Sequence, residues 1–592
     1  MAGKSQAMHV ARTKSRRVNK AGEEVVYESV LLRRSFRQDG KVKHETLANL
    51  SALPEPAIEA VRGALAGNPA VFSADGLEVV RSLPHGHVAA VAAQAKALGM
   101  PALLGRAGRM RDIAFALVIA RACRPGSKLA TTRWWADTTL AADLGVADAT
   151  TDEVYAAMDW LAGRQEGIEA RLAARHLSEA ANPDRLALFD LSSSWVTGHK
   201  CPLAARGYSR DGKKGLEQIE YGLLTDPDGR PVSVRVVPGN TADPKAFEDL
   251  AADFKTRYRL GEMVMVGDRG MITSARIEQL KELGGLGWVT ALRAPAIKAL
   301  AADDGPLQMS LFDQADLAEI THPDYPGERL IACRNPLLAA ERARKRGELL
   351  AATDTELAKI AAAADAGRIK DAGKIGVRAG KVIGRYKMEK HYTLTIEDTS
   401  FAYARNEEHI AAEAALDGIY IIRTTIQNTR MDAGQVVATY KSLANVERDF
   451  RSIKAIDLQL RPIHHYTETR VRAHVFICML AAYLTWHLRR AWAPLTFTDE
   501  NRPEPANPVA PAQRSTAAQT KASRHTTTNG QPAHSFRSLL DHLGTLTRNR
   551  LHVNGTGTGT DTGFDLVTTP TPIQRQAFEL IGQPIPTTIG GK

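Results

Sequence analysis

Leu186-Ala-Leu-Phe-Asp190-Leu and Met263-Val-Met-Val-Gly-Asp268 are short apolar runs that each close on one acid. Between them, Gln218-Ile-Glu-Tyr-Gly-Leu-Leu224 reads as a strand, Asp226-Pro-Asp-Gly229 as a turn and Pro231-Val-Ser-Val-Arg-Val-Val237 as the return strand. Pro238-Gly-Asn-Thr-Ala-Asp243 follows, and Asp243 before Pro244 reads as an N-cap and first helical position, predicting a helix to about Tyr258. Past the second acid, Ser274 to Leu283 has a helical pattern and Gly287-Trp-Val-Thr-Ala-Leu292 reads as one more strand. The order strand, strand, strand, helix, strand, helix, strand predicts a mixed α/β layer, in which an antiparallel hairpin feeds parallel strands.

Outward from this core, the first fifty residues are rich in Arg and Lys, and Val25–Phe36, Gln38-Asp-Gly-Lys41 and Val42–Leu47 read as a basic hairpin. Residues 54–176 read as helical and Ala-rich. On the other side, 295–415 interrupt the core with a charged helix over Leu337–Ala364, a Lys/Gly-rich stretch over Lys370–Lys390 and a strand pair at Tyr392–Ile396 and Ser400–Tyr403. The core resumes at Gly418-Ile-Tyr-Ile-Ile-Arg423, followed by one long helix from Asp432 to Ile453. Residues 491–535, rich in Pro, Thr, Ala and Asn, read as a disordered linker, and 536–592 as a C-terminal tail whose two apolar pieces, Phe536–Leu551 and Ile573–Ile581, could dock back on the body.

The chain has 592 residues, so at roughly 100–200 residues per domain it holds several domains and cannot be a single small binding module. Its 77 Lys and Arg against 66 Asp and Glu leave +11, a surplus that favours a polyanionic partner such as nucleic acid. Cys123, Cys201, Cys333 and Cys478 stand too far apart for a Cys-x-x-Cys zinc pattern and are too few to staple so long a chain. A reducing, cytoplasmic setting is expected. No apolar core of a signal peptide follows Met1, and the apolar stretch Val475–Leu488 is too short to span a bilayer, so no membrane is expected.

Asp190 and Asp268 occupy comparable positions at strand ends, where ligand groups gather in α/β sheets. Adjacent carboxylates repel unless a cation lies between them, and hard oxygen donors suit Mg²⁺ or Mn²⁺. A third acid comes from the predicted helix: at about 100° per residue, Tyr440, Glu447 and Lys454 fall nearly in a row. Asp449 points about 160° away from Glu447 on that wheel. Each acid alone also has a plain structural reading, as turn former, helix cap or partner of a nearby Arg such as Arg451. Tyr392, Phe401, Tyr403 and Trp288 could stack on an extruded base, or pack in the core. No Walker loop or nucleophile elbow is present in the sequence.

These residues resemble a DDE transposase of a bacterial insertion sequence, in the group marked by Tyr-x2-Arg-x3-Glu-x6-Lys. The signature here reads Tyr440-x2-Leu443-x3-Glu447-x6-Lys454, with Leu443 in the Arg position. We read Leu443 as facing the core, with Arg448 or Arg451 as substitutes for the missing Arg. The first acid matches Asp190 in Leu-Phe-Asp-Leu-Ser-Ser-Ser-Trp, the second Asp268 in Val-Met-Val-Gly-Asp-Arg-Gly-Met, and Pro238–Asp243 resembles the segment after the third core strand. The resemblance implies a ribonuclease H-like α/β core over 181–294 and 416–490, with the 295–415 insertion inside the 179 residues between Asp268 and Glu447. Residues 1–100, a basic hairpin followed by helices, suit DNA-end recognition or an N-terminal scaffold with solvated charges, and 101–180 read as a helical region. The resemblance also implies that Asp190, Asp268 and Glu447 are catalytic and hold two Mg²⁺ or Mn²⁺ ions, and that Tyr440, Lys454, Arg451, Arg448 and Arg269 contact DNA. The implied partners are double-stranded DNA, as terminal inverted repeats and target, and a second copy of the chain. The implied activity is cleavage at element ends and strand transfer, in the cytoplasm at the nucleoid. A ribonuclease H-like nuclease without strand transfer and a non-catalytic DNA-binding derivative are the alternatives.

Overall fold

The computed structural model describes residues 8–18, 24–38, 41–66, 77–213, 215–241, 257–258, 263–270, 272–302, 305–503, 505–553 and 563–589. The helix expected over 243–258 lies almost entirely outside them. Two compact units result, one of residues 1–98, 127–151 and 531–592, the other of 99–126 and 152–530.

The second unit is built on an eight-stranded mixed sheet. Its strands are β1 (Leu186–Trp195), β2 (Gln218–Thr225), β3 (Pro231–Pro238), β4 (Met263–Val266), β5 (Leu286–Ala291), β6 (Leu317–Ile320) and β7 (Arg329–Arg334). After an insertion that contributes β8 (Tyr392–Ile396) and β9 (Phe401–Arg405), the eighth strand of the sheet is β10 (Ile419–Thr424). The order across the sheet is β6-β7-β10-β5-β4-β1-β2-β3. β1, β2 and β3 form an antiparallel meander, and β1, β4 and β5 run parallel. This is the predicted hairpin feeding parallel strands, in a ribonuclease H-like arrangement. Every residue of β2 is buried, including the polar Gln218, Glu220 and Thr225.

The expected single helix over Asp432–Ile453 is instead three pieces. Its start is as predicted: α3 (Ala433–Lys441) is capped by Asp432, whose carboxylate accepts from the Gln435 N–H while the Gln435 side chain accepts from the Asp432 N–H, both at 2.8 Å. The helix then steps at Ser442, whose hydroxyl donates back to the Thr439 carbonyl at 2.6 Å and competes with the regular ladder. α4 (Leu443–Arg451) follows, and a π-helical turn spans Ser452–Ile456. Val446 and Phe450 press α4 onto the sheet, with the Phe450 ring edge-on to Tyr221 of β2. The β2–β3 turn fits under this helix only because residue 229 is Gly: its φ is +83°, and a Cβ there would stand 2.7 Å from the Asn445 Cβ.

The insertion has its own core. α1 (Pro336–Asp365) and α2 (Ala372–Tyr386) pack with β8 and β9 around Leu357, Ile360, Ile375, Ala379, Ile383 and Phe401. The Lys/Gly-rich stretch is therefore largely the helix α2. Trp288, Tyr392 and Phe401 are buried, so three of the four aromatics that could have stacked on a base serve packing.

Two expectations are corrected by packing. Residues 491–535 are not a disordered linker: Trp492, Leu495 and Val509 are buried, a helix runs over Thr516–Arg524, and the Lys521 ammonium reaches the Ala493 carbonyl at 3.0 Å and the Glu500 carboxylate. The Pro-rich composition hid a few apolar anchors, which suffice to hold the strap down. Within 536–592 the two apolar pieces contain the helices Phe536–Gly544 and Pro572–Leu580, with Leu539, Leu540 and Phe578 buried. Thr547–Val553 pairs with Phe564–Val567 and with Leu77–Pro84, a strand inside the region read as wholly helical. In the same unit, Met8–Val18, Glu24–Gln38 and Lys41–Asn49 form a three-stranded antiparallel sheet, one strand more than the expected hairpin. The expected 1–100 and 101–180 divisions thus give way to units that recruit distant segments. The last core helix, α5 (Glu468–Ala491), is longer than the stretch read from sequence and passes for a membrane span by length and composition, yet 83% of its apolar window is buried inside the protein.

Glu328 accepts from the Arg423 guanidinium (Nε 2.6 Å) and from Trp288 Nε1 (3.1 Å), all with little solvent access. Glu328→Ala leaves that guanidinium buried and unpaired, and should cost about 3–5 kcal/mol, read as a lower denaturant midpoint. His176 and His487 are held near about 3 and about 4, by burial first and then by the Arg230 charge. Between pH 6.5 and these values the unfolded chain takes up protons that the folded chain refuses, so stability falls with acid, by about 1.4 kcal/mol per pH unit for each histidine. His176→Gln should shrink the loss of stability between pH 7 and pH 5, measured by urea unfolding at both.

Candidate functional site

β1 and β4 pair in parallel at Leu186↔Val264, Ala187↔Met265 and Leu188↔Val266. Asp190 and Asp268 each stand two residues beyond the last of these pairs, so the period of two along a strand turns both toward the same side. Asp190 is not at its strand's end: β1 continues to Trp195, because β2 pairs its other edge as far as Trp195↔Gln218. Two local bonds orient the carboxylates. Asp190 Oδ1 accepts from the Leu191 N–H and Asp268 Oδ1 from the Gly270 N–H, both at 2.8 Å. The Asp268 carbonyl in turn accepts from Thr290 Oγ1 of β5 at 3.1 Å.

α4 brings Glu447 to the same place. Burial of Val446 and Phe450 fixes the helix, and leaves Glu447 at its rim with 63% of its side chain exposed and Arg451 3.9 Å away. A pocket of about 360 Å³ is lined by Asp190, Asp268, Glu447, Tyr440 and Leu443 together with the edges of Asn335 and Lys441. Leu443 therefore faces this pocket rather than the core. It precedes Glu447 by four residues and shares its helix face.

The electrostatics follow first from burial and then from the neighbouring acids. Burial raises the Asp190 carboxyl to about 7, with Asp268 and Glu447 adding to the rise, while the Leu191 N–H and the Arg210 charge oppose it. The Tyr440 hydroxyl is pushed up to about 12 by burial and by Asp268, so it stays a hydrogen-bond donor at any physiological pH. Oxygen donors only, all of one sign, form a set that hard divalent cations match. Among the described residues no three His, Cys, Asp or Glu side chains are already gathered closely enough to hold a metal ion.

The other sequence candidates fall in different places. Arg269 and Arg448 are exposed, next in sequence to Asp268 and Glu447, and neither lines the pocket. Lys454 does not join the row. The π turn changes the residues per turn just before it, so the wheel extrapolated from Glu447 overshoots. Its Nζ is buried and lies 2.8 Å from Asp211 Oδ1, an acid that Arg461 also pairs with. Sequence reading missed Arg210, Asp211 and Lys441. Lys441 Nζ donates to the carbonyls of Pro508, Val509 and Ala510, and Asn335 Nδ2 reaches Val509 O at 3.3 Å. Asn335 was legible as a cap before Pro336. The lysine's partners lie 67–69 residues away, and no local signal announces them.

The profile of the family described as transposase DDE domain matches residues 183–484, just over half of the chain. The profile described as IS1634 family transposase, N-terminal domain, matches residues 13–76. No curated protein matches the chain.

Lys441→Met should leave three carbonyls of the 508–510 strap without their donor. Limited proteolysis should then cut within 500–515 about ten-fold faster than in the wild type, for a loss of about 1–3 kcal/mol of local stability.

Proposed function

The chain belongs to the DDE transposases of insertion sequences, and we propose that it cleaves DNA at the ends of its element and joins them to target DNA, using Asp190, Asp268 and Glu447. The observation that carries this reading is the equivalent register of the two aspartates beyond the β1–β4 pairing, with Glu447 on the same pocket. Those three carboxylates are the residues that would hold two Mg²⁺ or Mn²⁺ ions. Bound there, the ions supply Lewis-acid activation of an attacking water or 3′-hydroxyl and charge stabilisation of the leaving 3′-oxygen.

The chain's own groups supply position. Tyr440, protonated and at the pocket wall, donates a hydrogen bond to a phosphate oxygen. Arg269, Arg448 and Arg451, exposed around the acids, contact the flanking backbone as positive charges. Lys454 acts at one remove: its bond to Asp211 holds the π turn that ends the helix bearing Glu447. Double-stranded DNA is the substrate, a second copy of the chain completes the paired-end complex, and the setting is the cytoplasm at the nucleoid. The surplus of +11 supports a DNA partner.

Asp190→Ala, Asp268→Ala and Glu447→Ala should each lower Mg²⁺-dependent cleavage of a duplex carrying the element's end by about 10³-fold or more, with end binding retained. A pre-cleaved end offered with a supercoiled plasmid should give joined product with the wild type. Cleavage without joining makes the protein a nuclease, and undiminished cleavage by Glu447→Ala removes that residue from the site.

A further inference from the structure

The basic stretch in the insertion is not used by the pocket, and the structure gives it a definite shape. Eight Lys or Arg and only two acids lie between Arg368 and Lys390. Four of the eight, Lys374, Arg378, Lys381 and Arg385, lie on α2 and are all exposed. At about 100° per residue they fall within an arc of about 60° and span about 16 Å along the axis. Ile375, Ala379 and Ile383 occupy the opposite side, buried in the insertion core. None of the four basic side chains makes an ion pair among the described residues, in contrast to Arg344, Lys345, Arg346 and Lys390 of the same module, which do.

A second feature of α2 agrees with the charge. Gly380 and Gly384 are exposed beside the stripe, and a Cβ at either would meet nothing within 4 Å. Packing therefore does not require glycine there, while each costs the helix about 1 kcal/mol relative to Ala. Their missing side chains lower the helix surface on one flank of the cation arc, about 60–100° from its edge.

The place of the stripe is set by α1. Asn335, at the pocket edge, caps a helix of 30 residues, about 45 Å long. The insertion core begins at Leu350 and runs to Ala364 of that helix, about 20–45 Å from the cap along its axis. At about 3.4 Å per base pair, that corresponds to about 6–13 base pairs.

We propose that the Lys374–Arg378–Lys381–Arg385 face of α2 is a docking surface for the phosphate backbone of duplex DNA, holding it outside the catalytic pocket without reading its sequence. The proposal rests on the DNA-processing reading above. Four exposed cations in a row, of which Arg385 also stands over the Tyr386 ring and lies within electrostatic reach of Glu356, match a polyanion of regular spacing.

The full-length chain is titrated with a random-sequence duplex of about 40 base pairs, by fluorescence anisotropy from 50 to 200 mM salt. The variant Lys374→Gln/Arg378→Gln/Lys381→Gln/Arg385→Gln should bind more weakly by several hundred-fold or more at the low-salt end, and its log–log salt slope should be shallower by about two to four, so that the gap from the wild type narrows toward 200 mM. The charge-preserving exchange Lys374→Arg/Arg378→Lys/Lys381→Arg/Arg385→Lys should keep the wild-type slope. A wild-type slope in the Gln variant overturns the proposal, and so does loss of the slope in the charge-preserving variant, which would mark a structural role. A loss seen with single-stranded RNA but not with the duplex also overturns it. If the wild type itself shows no salt-dependent duplex binding, the functional reading fails along with this one; if only the Gln variant is unaffected, this inference fails alone.

Discussion

Three carboxyl groups border a single pocket, and the burial of one of them, Asp190, is the constraint on which the pocket depends. The cost is visible in Asp190, whose carboxyl is raised to about 7 by burial and by its two acidic neighbours. The parallel pairing of β1 with β4 sets two of the acids at equivalent positions, so neither can withdraw without breaking the ladder. The third rides on α4, clamped from below by Phe450 on Tyr221 and from the side by the glycine turn at 229. Rigid elements thus bring the three carboxyl groups to the border of one pocket.

The helix carrying Glu447 is stepped at one end and π-helical at the other. Both irregularities serve placement. The step at Ser442 divides it into two shorter helices, with Tyr440 and Glu447 on opposite sides of the step and both at the pocket. The π turn rotates Lys454 inward to Asp211, where a buried cation and acid neutralise each other and fasten the helix end. Lys441, next to Tyr440, ties the 508–510 strap to the pocket rim through three carbonyls. Of the positively charged residues in this region, Lys454 and Lys441 are spent on structure, while Arg269 is exposed.

The insertion shows the same division on a larger scale. Its ion-paired residues, such as Arg346 with Asp417, join it to the core, whereas the stripe on α2 is left unpaired. A module with its own hydrophobic centre, mounted on a helix that starts at the pocket edge, extends the unit's reach without disturbing the sheet.

Much of this could be read from the chain alone. Alternating and continuous apolar runs located the strands at 186, 218, 231, 263, 286 and 419, since strand burial imposes its period locally. The Asp432 cap and the 7-residue interval from Tyr440 to Glu447 were legible for the same reason. What could not be read were features that depend on contacts distant in sequence. The extension of β1 past Asp190 depends on β2, the strand at Leu77–Pro84 on a partner beyond residue 546, and the order of the 491–535 strap on a lysine some 70 residues earlier. The fate of Lys454 turned on five π-helical residues that no propensity marks. Sequence determined which residues carry charge and which segments can form strands and helices, because those properties are local. Only the tertiary structure decided which charges are neutralised inside the protein and which face outward, because that depends on the partner each one meets.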